Sequence, residues 1–134
     1  MSQTNYQERP LSPVVKDAAT EPYWQGAREG VLRIKRCTAC GKVHFYPRAL
    51  CPFCLGDTEW VQASGKGTIY SVSVARRVGP IPYALAYVQL EEGVAMLTNI
   101  VDGDLDRLRI GDPVELCFKE AEGGDKVPMF RPAT

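Results

Sequence analysis

The stretch Cys37-Thr38-Ala39-Cys40, followed ten residues later by Cys51-Pro52-Phe53-Cys54, decides the fold of the N-terminal part of the chain. Two Cys-x-x-Cys pairs at this separation have the ligand spacing of a tetrahedral zinc site, because each pair forms a tight turn that directs two sulfurs toward one point. Four thiolates can be buried together only around a cation, so metal binding is part of folding. We therefore predict one Zn²⁺ per chain, held by Cys37, Cys40, Cys51 and Cys54.

This zinc is predicted to be structural, because four cysteines leave no coordination position open for a substrate. Gly41 directly follows the first pair, and Gly56 lies two residues after the second. Glycine adopts positive φ without steric cost, so both glycines are predicted to occupy turns of that kind. His44 is the only histidine. It is predicted to be an exposed ribbon residue, and the site does not need it as a ligand.

Length and charge limit the classes of protein to consider. A chain of 134 residues forms one medium domain or two very small units. Its 16 basic and 16 acidic residues cancel, which argues against a nucleic-acid-binding domain. No apolar run is long enough to span a membrane. The polar first eight residues lack the apolar core of a secretory signal, so we expect a reduced, cytoplasmic protein.

The N-terminal part divides into a tail and a metal-binding unit. Residues 1–19 contain two prolines and scattered polar residues, and are predicted to be an extended tail. Residues 20–57 are predicted to form a short helix, capped by Thr20 and ended by Gly30, followed by the zinc ribbon. The helix carries Tyr23 and Trp24. Two aromatic side chains on so short a helix need a surface to cover, either the core of this chain or a partner.

Residues 58–134 show short strands separated by turns, which indicates a small closed or partly closed β-barrel with a C-terminal tail from residue 128. In the strand 68–75, Tyr70, Val72 and Val74 are predicted to face the core together. Segment 94–101 is almost entirely apolar, so it is predicted to be buried on both faces. Cys117 is predicted to be a small buried or half-buried thiol rather than a nucleophile, because no neighbouring residue would activate it.

Several motifs, taken in order, resemble the DUF35 family, in which a rubredoxin-like zinc ribbon precedes an OB-fold. They cover nearly the whole chain and are Glu29-Gly30-Val31-Leu32, Arg36-Cys37-Thr38-Ala39-Cys40-Gly41, Phe45-Tyr46-Pro47-Arg48, Cys51-Pro52-Phe53-Cys54, Ser64-Gly65-Lys66-Gly67, Leu90-Glu91-Glu92-Gly93, Ile110-Gly111-Asp112-Pro113-Val114 and Pro128-Met129-Phe130-Arg131-Pro132. Leu55 stands where the family often has glycine. The resemblance implies a mainly β fold: an N-terminal helix and a rubredoxin-like zinc ribbon, then a small OB-fold barrel.

The resemblance also implies a function. DUF35 proteins work with CoA thioesters as small accessory subunits of thiolase-like or acyltransferase enzymes, in hetero-oligomers whose catalytic subunit supplies the reacting groups. Members occur with thiolases, ketosteroid-type aldolases and acyl-condensing enzymes. For this chain the resemblance predicts an accessory subunit of an enzyme that forms or cleaves C–C bonds.

The residues themselves offer no catalytic group. The sequence contains no Gly-x-Ser-x-Gly motif, and no cysteine is matched with a second histidine that could act as its base. The stretch Ser64-Gly65-Lys66-Gly67 lacks the upstream glycine of a phosphate-binding P-loop, and a strand rather than a helix follows it. We therefore predict a non-catalytic subunit.

Five basic residues are candidates for binding the phosphates of CoA. Lys35, Arg36 and Arg48 surround the metal segment, and Arg76 and Arg77 lie together at a strand end. A second interpretation of the first three is charge compensation, because Zn²⁺ with four thiolates carries a formal charge of about −2.

Two other functions are compatible with the sequence. Zinc ribbons and OB barrels also bind single-stranded nucleic acid, and Tyr70, Tyr83 and Tyr87 could stack on bases. The neutral net charge and the predicted core-facing position of Tyr70 argue against this alternative. The other alternative is a stand-alone acyl-CoA binder that needs no partner.

Overall fold

The computed structural model describes residues 6–77 and 81–133. Residues 1–5 of the predicted N-terminal tail, and Thr134, lie outside this range. One helix, α1 (Glu21–Arg28), precedes the strands. The first three strands are β1 (Arg33–Cys37), β2 (Val43–His44) and β3 (Thr58–Gln62). They are followed by β4 (Lys66–Ala75), β5 (Tyr83–Leu90), β6 (Ala95–Ile100), β7 (Pro113–Glu120) and β8 (Lys126–Pro132). The prediction of a mainly β fold is confirmed.

The strands form two sheets. One is the three-stranded ribbon sheet with the order β2-β1-β3, and the other is a closed barrel with the order β4-β5-β6-β8-β7. The barrel closes because β4 pairs with β7 as well as with β5. Its only parallel contact among the described residues joins β6 to β8, where Ile100 is the register partner of Phe130. The five strands form a small barrel of the OB type.

Buried and exposed side chains alternate along β5, and the buried ones form one wall of the barrel core. Ala84, Ala86, Val88 and Leu90 are all buried, as the sequence predicts. Phe130 of β8 is fully buried opposite this wall. Burying these apolar side chains drives closure of the barrel, at roughly 25 cal/mol for each Å² removed from water.

A β-bulge corrects the prediction for β4. Ile69 pairs with Val88 and the pairing resumes with Ser71 opposite Tyr87, so Tyr70 has no register partner. The extra residue shifts the side-chain alternation by one. Ile69 is therefore buried and Tyr70 is 66% exposed, although the sequence places Tyr70 in the core-facing row. Val72 and Val74 still pack against the core, as predicted.

Strand β6 is buried on only one face, so the prediction for segment 94–101 is wrong. Met96 and Ile100 are buried, whereas Leu97 is 51% exposed. The barrel wall is a single layer, and among residues 6–77 and 81–133 no second sheet or helix covers its outside at Leu97. An apolar run therefore alternates between core and surface here, as antiparallel strands with one covered face do.

The predicted boundary at residue 58 divides the ribbon sheet. Strand β3 lies after that boundary but pairs with β1 along its length, from Arg33 opposite Gln62 to Cys37 opposite Thr58. The change from ribbon sheet to barrel falls between β3 and β4. The predicted C-terminal tail is also corrected, because β8 pairs with β7 and closes the barrel. Met129 and Phe130 are buried there, although prolines flank them.

Helix α1 belongs to the core of this chain. Tyr23 and Trp24 are buried in the same hydrophobic cluster as the barrel residues. Their rings meet edge to face, with centroids 4.9 Å apart. Gly30 follows the helix with φ +84°, as predicted for its end. The side chain of Thr20 does not cap the helix and instead bonds to Asp17, so that part of the prediction is wrong.

Residues 6–19 have no regular secondary structure, in agreement with an extended tail, but they are attached to the barrel. The amide of Tyr6 donates to the Gly103 carbonyl over 2.8 Å, and the amide of Glu122 donates to the Leu11 carbonyl over 3.0 Å. The guanidinium of Arg9 lies 4.1 Å from the ring centroid of Tyr83. This segment is a structural part of the domain surface.

A four-cysteine metal centre and its neighbouring cations

The four predicted ligands converge. The sulfurs of Cys37, Cys40, Cys51 and Cys54 all lie within 4.8 Å of one another. The Sγ atoms of Cys37 and Cys54 are 3.5 Å apart, and those of Cys40 and Cys51 are 3.7 Å apart. Tetrahedral Zn²⁺ with Zn–S bonds of about 2.3 Å separates its sulfurs by about 3.8 Å. The donor set and its spacing fit one structural Zn²⁺, which confirms the prediction.

Hydrogen bonds from backbone amides favour the thiolate form of the cysteines, which is the form that binds a metal. The amides of Cys40 and Ala39 each donate to Cys37 Sγ over 3.3 Å. The Cys40 amide lowers the pKa of the Cys37 thiol to about 6, which favours the thiolate that a metal requires. At Cys54 the Gly56 amide lowers the pKa, but the neighbouring Cys37 raises it, with a net value of about 12. Two thiolates this close repel each other, so we expect a bound cation to displace the remaining proton.

The two Cys-x-x-Cys turns, called knuckles below, differ in the role of the glycine that follows them. Gly41 has φ +77°, as predicted, whereas at the second knuckle Leu55, with φ 65°, occupies the left-handed region. The prediction for Gly56 is therefore wrong, and its role is close packing. A Cβ at Gly56 would lie 3.0 Å from the Ala39 Cβ and 3.2 Å from Cys37 Sγ. Any side chain at Gly56 would press on the metal centre.

The single histidine is not exposed, so that prediction is wrong. His44 on β2 is buried, and its Nε2 accepts a hydrogen bond of 3.2 Å from the Arg48 amide. This hydrogen bond fixes the backbone of the loop that connects β2 to the second knuckle. Burial, and then the charges of Arg48 and Lys35, lower the pKa of His44, so the neutral ring is favoured.

Two of the five candidate phosphate contacts lie together beside His44. Lys35 is the register partner of His44 across β1 and β2. Its ammonium lies 4.4 Å from the ring centroid of Trp60 on β3, in cation–π contact. The side chain of Arg48 is exposed, and its guanidinium has no carboxylate partner among residues 6–77 and 81–133. These two cations and the Trp60 ring form the Lys35–Arg48 cluster.

The other three candidates are separate from this cluster. Arg36 donates from Nε to Glu59 over 3.0 Å, and Arg76 donates from Nε to Asp106 over 3.1 Å. Arg76 and Arg77 lie at the end of β4 that is opposite the ribbon, so one phosphate could not contact them and Lys35 together. The exposed ion pairs of Arg36 and Arg76 are weak, and an anionic ligand could compete with them.

Sequence reasoning missed Trp60 beside Lys35 and the outward-facing Leu85 and Leu97. The position of Trp60 beside Lys35 depends on the register of β3 against β1, which the structure shows and the sequence does not. The two leucines occupy outward positions of strands whose alternate residues are buried. An apolar residue at an outward position is the signal, but it is visible only after the buried face is known. Cys117 is half-buried as predicted, and burial raises the pKa of its thiol to about 11.

Among the described residues, no helix has the length and apolar character needed to cross a membrane.

The chain is similar to known proteins along both of its parts. Residues 24–61 match the family model described as the rubredoxin-like zinc ribbon domain of ChsH2, and residues 60–119 match that of its C-terminal OB-fold domain. A solved structure of the Ltp2-ChsH2(DUF35) aldolase superposes with a TM-score of 0.78 and 33% identity. That match covers 91% of this chain and 100% of the solved chain.

Two curated relatives extend the comparison. A DUF35 domain-containing scaffold protein from Methanothermobacter thermautotrophicus is 42% identical over 104 residues, which is 71% of this chain and 78% of that protein. A probable enoyl-CoA hydratase alpha subunit from Thermomonospora curvata is 37% identical over 132 residues. This match covers 93% of the chain but only 40% of the hydratase subunit, so the chain corresponds to part of that protein. By its metal centre, its barrel and these similarities, the chain belongs to the DUF35 family of zinc-ribbon and OB-fold proteins.

Proposed function

We propose that this chain is a zinc-containing, non-catalytic scaffold subunit of an enzyme complex that acts on CoA thioesters. The observation that carries the proposal is the match to the DUF35 chain of an aldolase, at 33% identity over the whole of that chain. The catalytic partner is a thiolase-like acyltransferase, an aldolase or a hydratase. We propose that the complex works in the cytoplasm, where reduced cysteines remain available to zinc.

The described residues support a scaffold rather than an independent catalyst. Nucleophilic catalysis needs a nucleophile within hydrogen-bond reach of a base. The imidazole of His44 is buried in the ribbon sheet and holds the Arg48 amide. The Cys117 thiol lies on β7 of the barrel, and burial raises its pKa. The only histidine is therefore engaged in the fold, and the thiol outside the metal centre is protonated at neutral pH.

We expect a tagged copy of the chain, purified from its own host, to retain one enzyme subunit in a fixed ratio. Mass spectrometry identifies that protein, and acyl-CoA turnover is measured for the chain, the partner and the complex. Turnover should require the partner, because it supplies the reacting groups. The control is the tag alone. The proposal is wrong if no such enzyme is retained, or if the repurified chain alone turns over acyl-CoA.

We further propose that CoA phosphates contact the Lys35–Arg48 cluster. Lys35 and Arg48 are adjacent to His44, and Trp60 presents an aromatic ring beside Lys35. Charge-assisted hydrogen bonds to phosphate contribute about 1.5–3 kcal/mol each. Arg36 is the next residue of β1, so its side chain points to the other face of the ribbon sheet, where it is paired with Glu59. The pair Arg76 and Arg77 is a second candidate contact at the far end of β4.

The double variant Lys35→Ala/Arg48→Ala is expected to weaken CoA binding by the complex at least about tenfold, from the loss of about 1.5 kcal/mol or more. Isothermal titration with CoA measures this. Arg76→Ala/Arg77→Ala, which removes the same charge from the second candidate contact, is measured in parallel. Equal affinity of wild type and the Lys35→Ala/Arg48→Ala variant would refute the contact between CoA and the Lys35–Arg48 cluster. Loss only in Arg76→Ala/Arg77→Ala would assign the phosphates to Arg76 and Arg77. Tight binding by the isolated chain would favour a stand-alone acyl-CoA binder.

A further inference from the structure

The outer surface of the barrel carries a continuous uncharged face, in which four bulky aromatic or aliphatic side chains adjoin two serines. It is formed by six outward residues of three adjacent strands and is named the β4–β6 outer face: Tyr70, Ser71, Ser73, Leu85, Tyr87 and Leu97. Tyr87 is the register partner of both Ser71 and Leu97, and Leu85 is opposite Ser73. Neighbouring strands lie about 4.8 Å apart, so these side chains adjoin one another. A shallow depression of about 290 Å³ lies on this face beside Leu85, Tyr87 and Leu97.

Four bulky side chains of this face are exposed to solvent. Tyr70, Leu85, Tyr87 and Leu97 are between 41% and 66% exposed. The bulge at Tyr70 and the single-layer wall at Leu97 both add to this exposure, because each turns a bulky side chain outward. Contiguous apolar patches of this kind on a soluble domain mark interaction sites.

The face also carries no charge, although 24% of the residues in the chain are charged. Four further outward residues of the same strands are likewise uncharged: Thr68, Gln89, Ala95 and Asn99. Charges begin at the edges, with Lys66 at the start of β4 and Arg9 stacked on Tyr83. A charge-depleted centre with tyrosines and a charged rim is the composition of a protein–protein interface.

The absence of charge selects among possible occupants. Nucleic acid and anionic membranes are held by Lys and Arg side chains, which the centre of this face lacks. A charged protein surface would lose its hydration here without gaining an ion pair. The complementary surface is therefore an uncharged, apolar protein surface with a bulky side chain that enters the depression.

We propose that the β4–β6 outer face docks onto an uncharged, apolar surface of the catalytic subunit. The inference rests on the proposed function and adds the surface through which the two subunits meet. The helix α1 is excluded as the main contact, because Tyr23 and Trp24 are already buried in this chain. The β4–β6 outer face, in contrast, is a surface that none of the described residues covers.

Binding of the partner identified by co-purification tests the inference. Leu97→Asp places a carboxylate on the face, and Tyr87→Ser removes the ring of the residue that is the register partner of both Ser71 and Leu97. Each is expected to raise the Kd for the purified partner at least about tenfold. Leu97→Asp would bury an unpaired charge in the interface, and Tyr87→Ser would leave the space of the aromatic ring unfilled. Val15→Asp is the matched control, since Val15 is 88% exposed and lies in the N-terminal segment. It should bind as wild type does.

Zinc content and thermal melting of each variant show whether the fold is intact, and Tyr87→Ser serves if Leu97→Asp does not fold. Wild-type affinity in both face variants would overturn the docking site while leaving the proposed function standing. Failure of wild type to bind any enzyme subunit would overturn both. The inference is also overturned if Leu97→Asp abolishes a homodimer, or binding to single-stranded oligothymidylate, without changing the affinity for the partner.

Discussion

Replacement of Cys51 by serine is expected to remove most of the zinc from the purified chain. Cys51 is fully buried and its sulfur faces that of Cys40 over 3.7 Å. A serine hydroxyl is a poor zinc ligand, and three thiolates without their fourth partner bind the metal far more weakly. Structural zinc contributes on the order of 10 kcal/mol to the folding of small ribbons, so the ribbon sheet should unfold with metal loss. Metal analysis and circular dichroism measure the two effects.

The control is Cys117→Ser, which changes the same atom in a half-buried barrel residue away from the metal centre. It should keep one zinc per chain. A Cys51→Ser protein with full zinc and wild-type melting would contradict the assignment. So would a wild-type protein that contains mainly iron, since the assignment is to zinc.

Replacement of Trp24 by alanine is expected to lower the stability of the isolated chain by about 3 kcal/mol, because a buried indole leaves a large cavity. For a domain of this size the melting temperature should fall by roughly 10 °C. Trp24 is 8% exposed and packs in the cluster that joins α1 to the ribbon and the barrel. Differential scanning calorimetry of the zinc-loaded chain measures the change.

Two further variants serve as controls for the Trp24→Ala measurement. Tyr70→Ala removes an aromatic ring from an exposed position and should leave the melting temperature within a few degrees of wild type. Trp24→Phe keeps a ring in the core and removes the indole N–H, which has no hydrogen-bond partner among the described residues. It should therefore retain most of the stability. Unchanged melting in Trp24→Ala, together with weaker binding of the partner, would instead make Trp24 an interface residue.

The four metal ligands were predictable because their spacing is local information. The spacing of Cys37, Cys40, Cys51 and Cys54 determines two knuckles, and the chemistry of four thiolates requires a cation. The buried side chains of β5 were equally predictable, because alternation with a period of two requires no knowledge of the partner strands. The positive φ at Leu55 was not predictable, because the turn of the second knuckle requires this backbone conformation at a residue type that disfavours it.

The sequence by itself determined the zinc ligands, the mainly β class and the order of ribbon before barrel. Tertiary structure alone decided which side of β4 and β6 meets the core, since one bulge residue reverses the alternation at Tyr70 and a single-layer wall exposes Leu97. It also decided that β8 closes the barrel and that Trp24 belongs to the core of this chain. These outcomes depend on which elements pack together, and no local pattern in the chain encodes that choice.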